Sequence, residues 1–383
     1  MAQTSAESRI ILGDPVPRFS TALVAGGGFD LHVTAGRWVV LSFLGSPANP
    51  RATAELNALL QEAALFGEDR LVVGCVLTEP PDDTNQLAEI SGNALFFIAD
   101  YDGAISRAYG ALATPRTVVL DPMLRAIADI AWDHPQGHAE TVRSVLRSLP
   151  SVDDSAGVPM FAPALIVPRV FSFELCDFLI QFYKEQGGKD SGFQFDIAGK
   201  TATLSDWRLK RRSDVIVSAP EVRELIRSHI VRRLVPEIER HLQFKATRMD
   251  RHIVACYDAE VGGHFHRHRD NVNAGAQHRR FAVSINLNND FDGCDLIFPE
   301  FGRKTYRPPE GGALVFSCGS LHQVTPVTRG QRYAFVAFLY GEEDARKREA
   351  NNSKLHVGEM KYDGSQDRLF PEEAPPLREA AVA

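Results

Sequence analysis

The sequence predicts an α/β domain followed by an α+β domain whose short strands form a sandwich or jelly roll. Its 383 residues exceed the roughly 100–200 residues of a typical single domain. Apolar runs alternate with helical patterns in the first half, whereas closely spaced short strands fill residues 248–340. A stretch rich in Ser, Asp, Gly and Pro at residues 151–163 separates the two patterns and is typical of a linker.

The first half contains four short apolar runs that are typical of buried strands. They span residues 38–44, 71–77, 94–98 and 117–120. Apolar residues at helical spacing predict a helix over residues 52–66, and another follows the last strand at residues 139–149. Strands separated by helices indicate a central sheet with helical cover. We assign residues 1–150 to this domain and residues 151–165 to the linker.

The second half opens with two predicted helices, over residues 173–186 and 220–242. Short strands with Gly, Pro and Asn-Asp turns between them follow. We assign residues 166–345 to the second domain. Residues 346–383 are charged and then Pro-rich, so we expect a peripheral tail.

Charge and cysteine content exclude several function classes. The formal net charge of −7 disfavours sequence-independent binding to nucleic acid. The five cysteines are odd in number, scattered and without a CxxC pair, which favours a reducing compartment over a disulfide framework. No apolar run approaches the roughly 20 residues that span a bilayer. We therefore expect a cytoplasmic protein without membrane or nucleic-acid partners.

The strongest chemical signal is the tripeptide His268-Arg269-Asp270. Residues two apart on a strand share a face, so His268 and Asp270 can direct a nitrogen and an oxygen at one ion. His322 can supply a third ligand, which gives the two-His, one-carboxylate set of non-haem Fe(II) oxygenases. Arg332, ten residues later, can hold the carboxylate of an organic acid such as 2-oxoglutarate through its planar fork.

Residues from about 161 to 341 resemble the Fe(II)/2-oxoglutarate-dependent oxygenases of the prolyl 4-hydroxylase type. The family pattern of Tyr, then Gly-x-x-aromatic-x-x-His-x-Asp, corresponds to Tyr257 and residues 262–270 here. The stretch Leu-His-Gln-Val-Thr-Pro-Val-Thr at residues 321–328 is close to the bacterial members. Cys294 stands where the family usually has the second of two glycines. The resemblance implies a double-stranded β-helix, a cupin-like jelly roll, with flanking helices.

By this resemblance, His268, Asp270 and His322 bind Fe(II), and Arg332 binds the distal carboxylate of 2-oxoglutarate. The second co-substrate would be O2, and ascorbate would be compatible as a reductant. Tyr257 and Asn286 are candidate secondary contacts to 2-oxoglutarate. A barrel-filling tyrosine and an asparagine near a turn explain these two residues equally well.

Residues from about 12 to 149 resemble peroxiredoxins of the alkyl hydroperoxide reductase and thiol-specific antioxidant type, which have a thioredoxin-like fold. The matching segments are residues 13–19, 100–103, 108–110 and 116–121. Ala52 stands where the family has its peroxidatic cysteine, and Asn49 replaces the threonine of the same turn. Because a thiolate is the nucleophile of that chemistry, we expect no peroxidase activity. The resemblance also suggests a homodimer.

The leading function is hydroxylation of a C–H bond in a peptide or protein side chain, with prolyl first by resemblance and succinate and CO2 as products. A free small molecule or amino acid is an alternative substrate. A non-catalytic sensor or scaffold for 2-oxoglutarate, iron or oxygen is a second alternative. Basic residues near the proposed site, such as Arg208 and Arg280, either steer an acidic substrate or act as salt-bridge partners.

Overall fold

The computed structural model describes residues 10–134, 137–197, 200–356, 361–362 and 367–370. The chain divides into two compact units. The first comprises the residues up to Ala162 together with Phe298–Lys304, and the second comprises Pro163–Ile297 and the residues from Thr305 onward. In the described part of the chain, no helix combines the length and the apolar character needed to cross a bilayer.

The first unit is an α/β layer. Its strands are β1 (Ser20–Ala22), β2 (Gly28–Asp30), β3 (Trp38–Gly45), β4 (Leu71–Leu77), β5 (Leu95–Ala99), β6 (Arg116–Leu120) and β7 (Ala126–Ala131). Its helices are α1 (Pro50–Leu60), α2 (Thr84–Ile90), α3 (Ala104–Ala108) and α4 (His138–Ser148). Five strands form one sheet in the order β5-β4-β3-β6-β7, in which β3 runs parallel to β4 and antiparallel to β6. The interior strand β4 is buried along its whole length, which explains its unbroken apolar sequence.

The second unit contains sixteen strands within its described residues. They are β8 (Ala164–Val167), β9 (Lys189–Asp190), β10 (Phe193–Ile197), β11 (Lys200–Leu204), β12 (Lys210–Arg211), β13 (Ser213–Ile216), β14 (Arg248–Asp258), β15 (His264–His268), β16 (Phe281–Asn286), β17 (Asp292–Gly293), β18 (Leu296–Ile297), β19 (Thr305–Tyr306), β20 (Ala313–Ser317), β21 (His322–Val324), β22 (Val327–Arg329) and β23 (Gln331–Tyr340). Its helices are α5 (Phe173–Gln186), α6 (Pro220–Arg233), α7 (Val235–Leu242) and α8 (Glu342–Ala350).

Two antiparallel sheets give this unit its jelly-roll character. The larger has seven strands in the order β8-β20-β16-β23-β14-β13-β9, and the smaller has five in the order β12-β15-β21-β18-β19. Side chains of α5, α6 and α7 pack with one face of the larger sheet in a single apolar core. Since successive residues of a strand point to opposite faces, the other face of this sheet is left for a polar site. The predicted fold class is confirmed.

Two elements differ from the sequence-based prediction. The helix predicted over residues 220–242 is two helices, because Pro236 lies in the first turn of α7 and cannot continue the hydrogen-bond ladder of α6. The predicted linker ends inside β8, because Ala164 and Leu165 are the first two residues of this strand, which pairs with β20 of the larger sheet.

Part of the tail that the sequence predicts as peripheral is packed against the second unit. Leu369 is 1% exposed and belongs to the apolar core. Its backbone N–H donates to the carbonyl of Thr247 at 2.9 Å, and the N–H of Met249 donates to the carbonyl of Asp367 at 2.8 Å. An apolar side chain with backbone partners on a sheet strand is held there by both burial and hydrogen bonding.

Candidate functional site

The three predicted metal ligands lie on neighbouring strands of the smaller sheet. His268 ends β15 and His322 begins β21, and the two residues are directly opposite in the antiparallel ladder. Asp270 follows β15, where its backbone N–H donates to the carbonyl of Cys318 at 3.0 Å. The strand register therefore brings a histidine that is distant in sequence beside the His-x-Asp motif.

The ligand atoms of this triad converge. Nε2 of His268 lies 3.6 Å from Oδ1 of Asp270, and Nε2 of His322 lies 3.5 Å from Oδ2 of the same carboxylate. One ligand atom from each residue can be chosen so that all three lie within 4.8 Å of one another. Two nitrogens and one carboxylate oxygen are the donor set of the facial triad in non-haem Fe(II) proteins.

Backbone carbonyls set the orientation of both imidazole rings. Nδ1 of His268 donates to the carbonyl of His266 at 2.7 Å, and Nδ1 of His322 donates to the carbonyl of Ser320 at 3.1 Å. A neutral imidazole with its proton on Nδ1 presents a lone pair at Nε2. Both lone pairs face the Asp270 carboxylate, an arrangement that a cation between them would stabilise. The residues present therefore fit a divalent metal.

Apolar and aromatic neighbours enclose the triad. The ring of Phe265 stacks on His268 with centroids 3.5 Å apart, and the edge of Phe316 meets His322 at 4.6 Å. Burial lowers the pKa of His322 to about 4, with the neighbouring His268 contributing in the same direction, so this imidazole is neutral at neutral pH. Burial favours protonated Asp270, but His322 and His268 outweigh it and hold the pKa of this carboxyl below its usual range.

Arg332 lies buried on β23 of the larger sheet, 2% exposed, with its guanidinium held at several points. Its Nε donates to Oδ1 of Asn286 at 2.9 Å, and its Nη2 donates to Oγ of Ser284 at 2.8 Å. Sγ of Cys294, the residue that departs from the family pattern, lies 4.0 Å from Nη1. These contacts fix the plane of the guanidinium before any ligand binds.

The other two predicted contacts cluster with Arg332. Tyr257 is its direct cross-strand partner on β14, and the Arg332 carbon Cζ lies 5.6 Å from the centre of the tyrosine ring. Asn286 uses both ends of its amide, since Nδ2 donates to the carbonyl of Pro308 at 2.7 Å while Oδ1 accepts from Arg332. Tyr257 and Asn286 are therefore both neighbours of the arginine.

Ser284 is a member of this cluster that the sequence reasoning missed. It stands two residues before Asn286 on β16 and therefore shares its face of the sheet. That alternation was available in the sequence and could have identified Ser284. The residues Ser284, Asn286, Tyr257 and Arg332 lie on the face opposite the helix-covered core, which takes Ile285, Cys256 and Tyr333 from the same strands.

Several basic residues near the site are paired with carboxylates, and others bind neutral oxygen acceptors. Arg208 lies 2.7 Å from Asp206, and Arg280 lies 2.7 Å from Asp344. Lys210 is buried, and its Nζ donates to Oγ of Ser191 at 2.7 Å. These contacts favour the salt-bridge and hydrogen-bond interpretation of the basic residues over the steering of an acidic substrate.

In the first unit, the position that the resemblance assigns to the peroxidatic cysteine is a buried alanine. Ala52 lies in the first turn of α1 and is 3% exposed, and Asn49 caps that helix through Oδ1, which accepts from the N–H of Arg51 at 3.0 Å. Arg116 is paired with Asp129 at 2.9 Å. Burial raises the pKa of the Cys75 thiol to about 12.

Two family models match separate parts of the chain. Residues 252–340 match the 2OG-Fe(II) oxygenase superfamily, and residues 12–127 match the AhpC/TSA family. The first match contains the metal triad, Arg332, Tyr257 and Asn286, and the second contains Ala52.

Curated relatives match the C-terminal part. A PKHD-type hydroxylase from Paracoccus denitrificans (strain Pd 1222) is 34% identical over 150 residues, which covers 36% of this chain and 63% of the relative. A PKHD-type hydroxylase from Synechococcus sp. (strain JA-2-3B'a(2-13)) is 29% identical over 117 residues, covering 28% of this chain and 51% of the relative. The chain thus spans between half and two thirds of these relatives.

Two solved structures show distant likeness, one for each part of the chain. A prolyl hydroxylase from Trichoplax adhaerens, in complex with a peptide fragment of the hypoxia inducible factor oxygen degradation domain, is 21% identical at a TM-score of 0.39 and covers 48% of this chain and 85% of that one. Peroxidoxin BcpB from Mycobacterium tuberculosis is 23% identical at a TM-score of 0.33 and covers 37% of this chain and 99% of that one. Likeness at this level supports no functional statement.

The family matches agree with both resemblances. The C-terminal part of the chain resembles the Fe(II)/2-oxoglutarate oxygenases, and the N-terminal part resembles a peroxiredoxin whose peroxidatic position is alanine.

Proposed function

We propose that this chain is an Fe(II)- and 2-oxoglutarate-dependent dioxygenase that hydroxylates a C–H bond of a peptide or protein side chain and releases succinate and CO2. The single observation that carries the proposal is the convergence of His268, Asp270 and His322. Their Nε2 atoms and carboxylate oxygens face one another, while backbone carbonyls hold both Nδ1 atoms. The family match over residues 252–340 supports the same chemistry.

In this proposal the protein residues hold the metal and orient the co-substrates, and the metal would supply the reactive chemistry. A bound Fe(II) would supply the activation of O2, with electrons that come from the decarboxylation of 2-oxoglutarate. His268, Asp270 and His322 would hold the metal on one side and leave its remaining positions for the co-substrates. Phe265 and Phe316, packed against the two imidazoles, keep water from that side of the site.

Arg332 would bind the distal carboxylate of 2-oxoglutarate. Its guanidinium is already oriented by Asn286 and Ser284, so little conformational entropy is lost when a carboxylate docks. Because the Asn286 amide is used on Arg332 and Pro308, we assign Asn286 a positioning role. Tyr257, 3% exposed beside the guanidinium, forms the apolar wall that strengthens this charge interaction.

The prolyl side chain leads among the substrates because the motifs resemble the prolyl 4-hydroxylase type, and two curated relatives carry the name PKHD-type hydroxylase. A free amino acid or other small molecule remains the alternative substrate. A screen of peptides and metabolites for the mass gain of one oxygen atom, with Fe(II), 2-oxoglutarate and O2 present, separates the two classes.

The decisive experiment measures co-substrate binding and turnover in the full chain. We expect 2-oxoglutarate to bind anaerobically only when Fe(II) is present, and succinate to form once O2 is admitted. His268→Ala and Asp270→Ala should each abolish metal binding, because they remove one of three ligands.

His264→Ala is the matched control. His264 lies on the same strand, and its ring nitrogens contact the backbone carbonyls of Gly262 and Arg208. We expect this variant to bind Fe(II) and form succinate as the wild type does. Unchanged succinate formation in His268→Ala and Asp270→Ala would refute the metal assignment. Binding of Fe(II) and 2-oxoglutarate without succinate formation under O2, for any screened substrate, would favour the sensor alternative.

A further inference from the structure

A cavity of about 400 Å³ lies in the second unit, apart from the site described above. Its walls come from the first turns of α6, from β14 and from the tail residues 367–369. His252 and Met249 of β14 line the cavity from the helix-covered side of the larger sheet. On this side the ring centroids of His252 and Phe335 lie 6.4 Å apart. Arg332 lies on the opposite face. The cavity is therefore separate from the proposed co-substrate position.

The lining carries an excess of positive charge. Three guanidinium groups, from Arg223, Arg227 and Arg368, stand against the two carboxylates of Glu224 and Asp367. Both oxygens of Glu224 accept from Arg227, at 2.5 and 2.6 Å. The planar guanidinium groups of Arg223 and Arg368 have the geometry that suits bidentate binding of an oxyanion.

Asp367 is neutralised from outside the cavity. Its Oδ2 accepts from the hydroxyl of Tyr340 at 2.8 Å and from Nη1 of Arg348, neither of which lines the cavity. Its other oxygen lies 3.9 Å from Nη2 of Arg223. Arg348 also pairs with Asp250 at 3.2 Å, so with both of these groups counted the cations around the cavity exceed the carboxylates by one. An anion that enters therefore meets a net attractive field.

His252 adds a neutral donor to the same wall. Nη2 of Arg223 donates to Nδ1 of His252 at 3.3 Å, so the ring proton must reside on Nε2. The imidazole is 6% exposed, and burial, with Arg223 next to it, lowers its pKa to about 4. At neutral pH it is thus an uncharged ring with its proton on Nε2.

Apolar surface completes the cavity. Met249 and Leu369 are each 1% exposed and contribute to its floor. The volume falls at the lower end of the roughly 300–1,000 Å³ typical of small-molecule sites. A ligand that suits both surfaces combines one oxyanion group with a compact apolar body.

We infer that this cavity is a binding site for a small organic anion, a phosphate or carboxylate attached to an apolar group. The ligand would bridge α6 and the tail. Arg227 already joins these two elements, because it holds Glu224 on α6 and donates through Nη1 to the carbonyl of Leu369. Binding would therefore stabilise the docked position of residues 367–369. The inference does not depend on the proposed oxygenase chemistry.

Calorimetric titration of the full chain with phenyl phosphate, benzoate and inorganic phosphate tests the site. We expect saturable one-to-one binding of phenyl phosphate, of benzoate or of both, with inorganic phosphate at least about fivefold weaker because it leaves the apolar floor uncovered. Comparison of the first two compounds distinguishes a phosphate from a carboxylate ligand. Hydrogen exchange at the Leu369 amide should slow when the ligand binds.

Two variants and a control locate the binding. Arg223→Gln should weaken it about tenfold or more by removing a charge-assisted hydrogen bond. Ser218→Trp should fill part of the cavity with an indole ring while it leaves all of the lining charges in place. Arg232→Gln, on the exposed side of the same helix, should bind as the wild type does.

The outcomes are decisive for the cavity alone. Equal binding by the wild type, Arg223→Gln and Ser218→Trp would place the anion elsewhere and overturn the inference. Absence of saturable binding of all three compounds at millimolar concentrations would overturn it too. Loss of binding in Ser218→Trp with an unchanged thermal midpoint supports it even if Arg223→Gln fails to fold.

Discussion

Asn286→Ala tests whether the orientation of Arg332 is built into the fold. The substitution removes the Oδ1 atom that accepts from Nε of Arg332 at 2.9 Å and the Nδ2 donor to the carbonyl of Pro308. Asn286 is 2% exposed, so water does not replace these partners without rearrangement. Arg332 keeps the Oγ of Ser284 as its remaining oxygen acceptor among these contacts.

The magnitude follows from these two bonds. A hydrogen bond to a charged group contributes roughly 1.5–3 kcal/mol, and one between neutral groups contributes about 1 kcal/mol. We therefore expect the free energy of unfolding to fall by about 2–4 kcal/mol. In the variant, 2-oxoglutarate itself has to order the Arg332 guanidinium when it binds. This ordering should weaken the free energy of binding by about 1–2 kcal/mol, which corresponds to a loss of roughly 5–30-fold in affinity for 2-oxoglutarate.

The assay separates the two halves of the proposed site. Metal affinity and 2-oxoglutarate affinity are measured anaerobically in the same variant, and urea unfolding gives its stability. We expect metal affinity to stay within about twofold of wild type, because His268, Asp270 and His322 do not contact Asn286. An unchanged affinity for 2-oxoglutarate, or an equal loss of metal affinity, would refute the positioning role. Ser284→Ala should show the same pattern with a smaller loss.

Three further outcomes are expected. Ala52→Cys should consume peroxide no faster than the wild type in a thiol-coupled assay. The reason is that position 52 is buried and Arg116 is already paired with Asp129 at 2.9 Å. Turnover above the wild-type rate would contradict this expectation. Leu369→Ala should lower the free energy of unfolding by about 2–5 kcal/mol, whereas the neighbouring Phe370→Ala, 41% exposed, should change it by less than about 0.5 kcal/mol; similar values for both would show that the tail is not docked. Burial raises the pKa of Asp250, but Arg348 and His278 outweigh it and hold that pKa well below its usual value near 4, so its contribution is complete above about pH 4 and is lost as the pH falls further. Urea unfolding across acidic pH should show this loss, and Asp250→Asn should flatten the curve.

Local signals predicted several elements to the residue. The helix predicted over residues 173–186 is α5, because Ser172 caps its N-terminus through Oγ and Gly187, at a φ of +70°, follows its end. The strand predicted over residues 71–77 is β4, since it is buried throughout and lacks any polar interruption. Where the residues that begin and end an element are adjacent to it in sequence, periodicity and capping are enough to predict its bounds.

Elements that depend on partners were harder to predict. β7 has the sequence Ala-Ile-Ala-Asp-Ile-Ala and is a strand because it pairs with β6 at the edge of the sheet. β8 begins at the end of the predicted linker and is stabilised by pairing with β20. In both cases the backbone hydrogen bonds come from a distant or neighbouring strand, which no local pattern specifies.

The candidate site shows the same division. The His-x-Asp motif, the later histidine and Arg332 follow from spacing and resemblance, and the register of β15 with β21 places His268 opposite His322. The support of Arg332 by Ser284 and Asn286 requires the pairing of β16 with β23, which sequence alternation does not supply.

The sequence by itself determined the two-domain fold class, the residues able to form a metal triad and the absence of a thiol at Ala52, because each depends on residue chemistry and short-range spacing. Only the tertiary structure decided how Arg332 is held, where Leu369 of the tail docks and that a cationic cavity forms between α6, β14 and that tail. The physical reason is that ladder register and side-chain packing join segments far apart in the chain, and burial then sets the strength of their charges and hydrogen bonds.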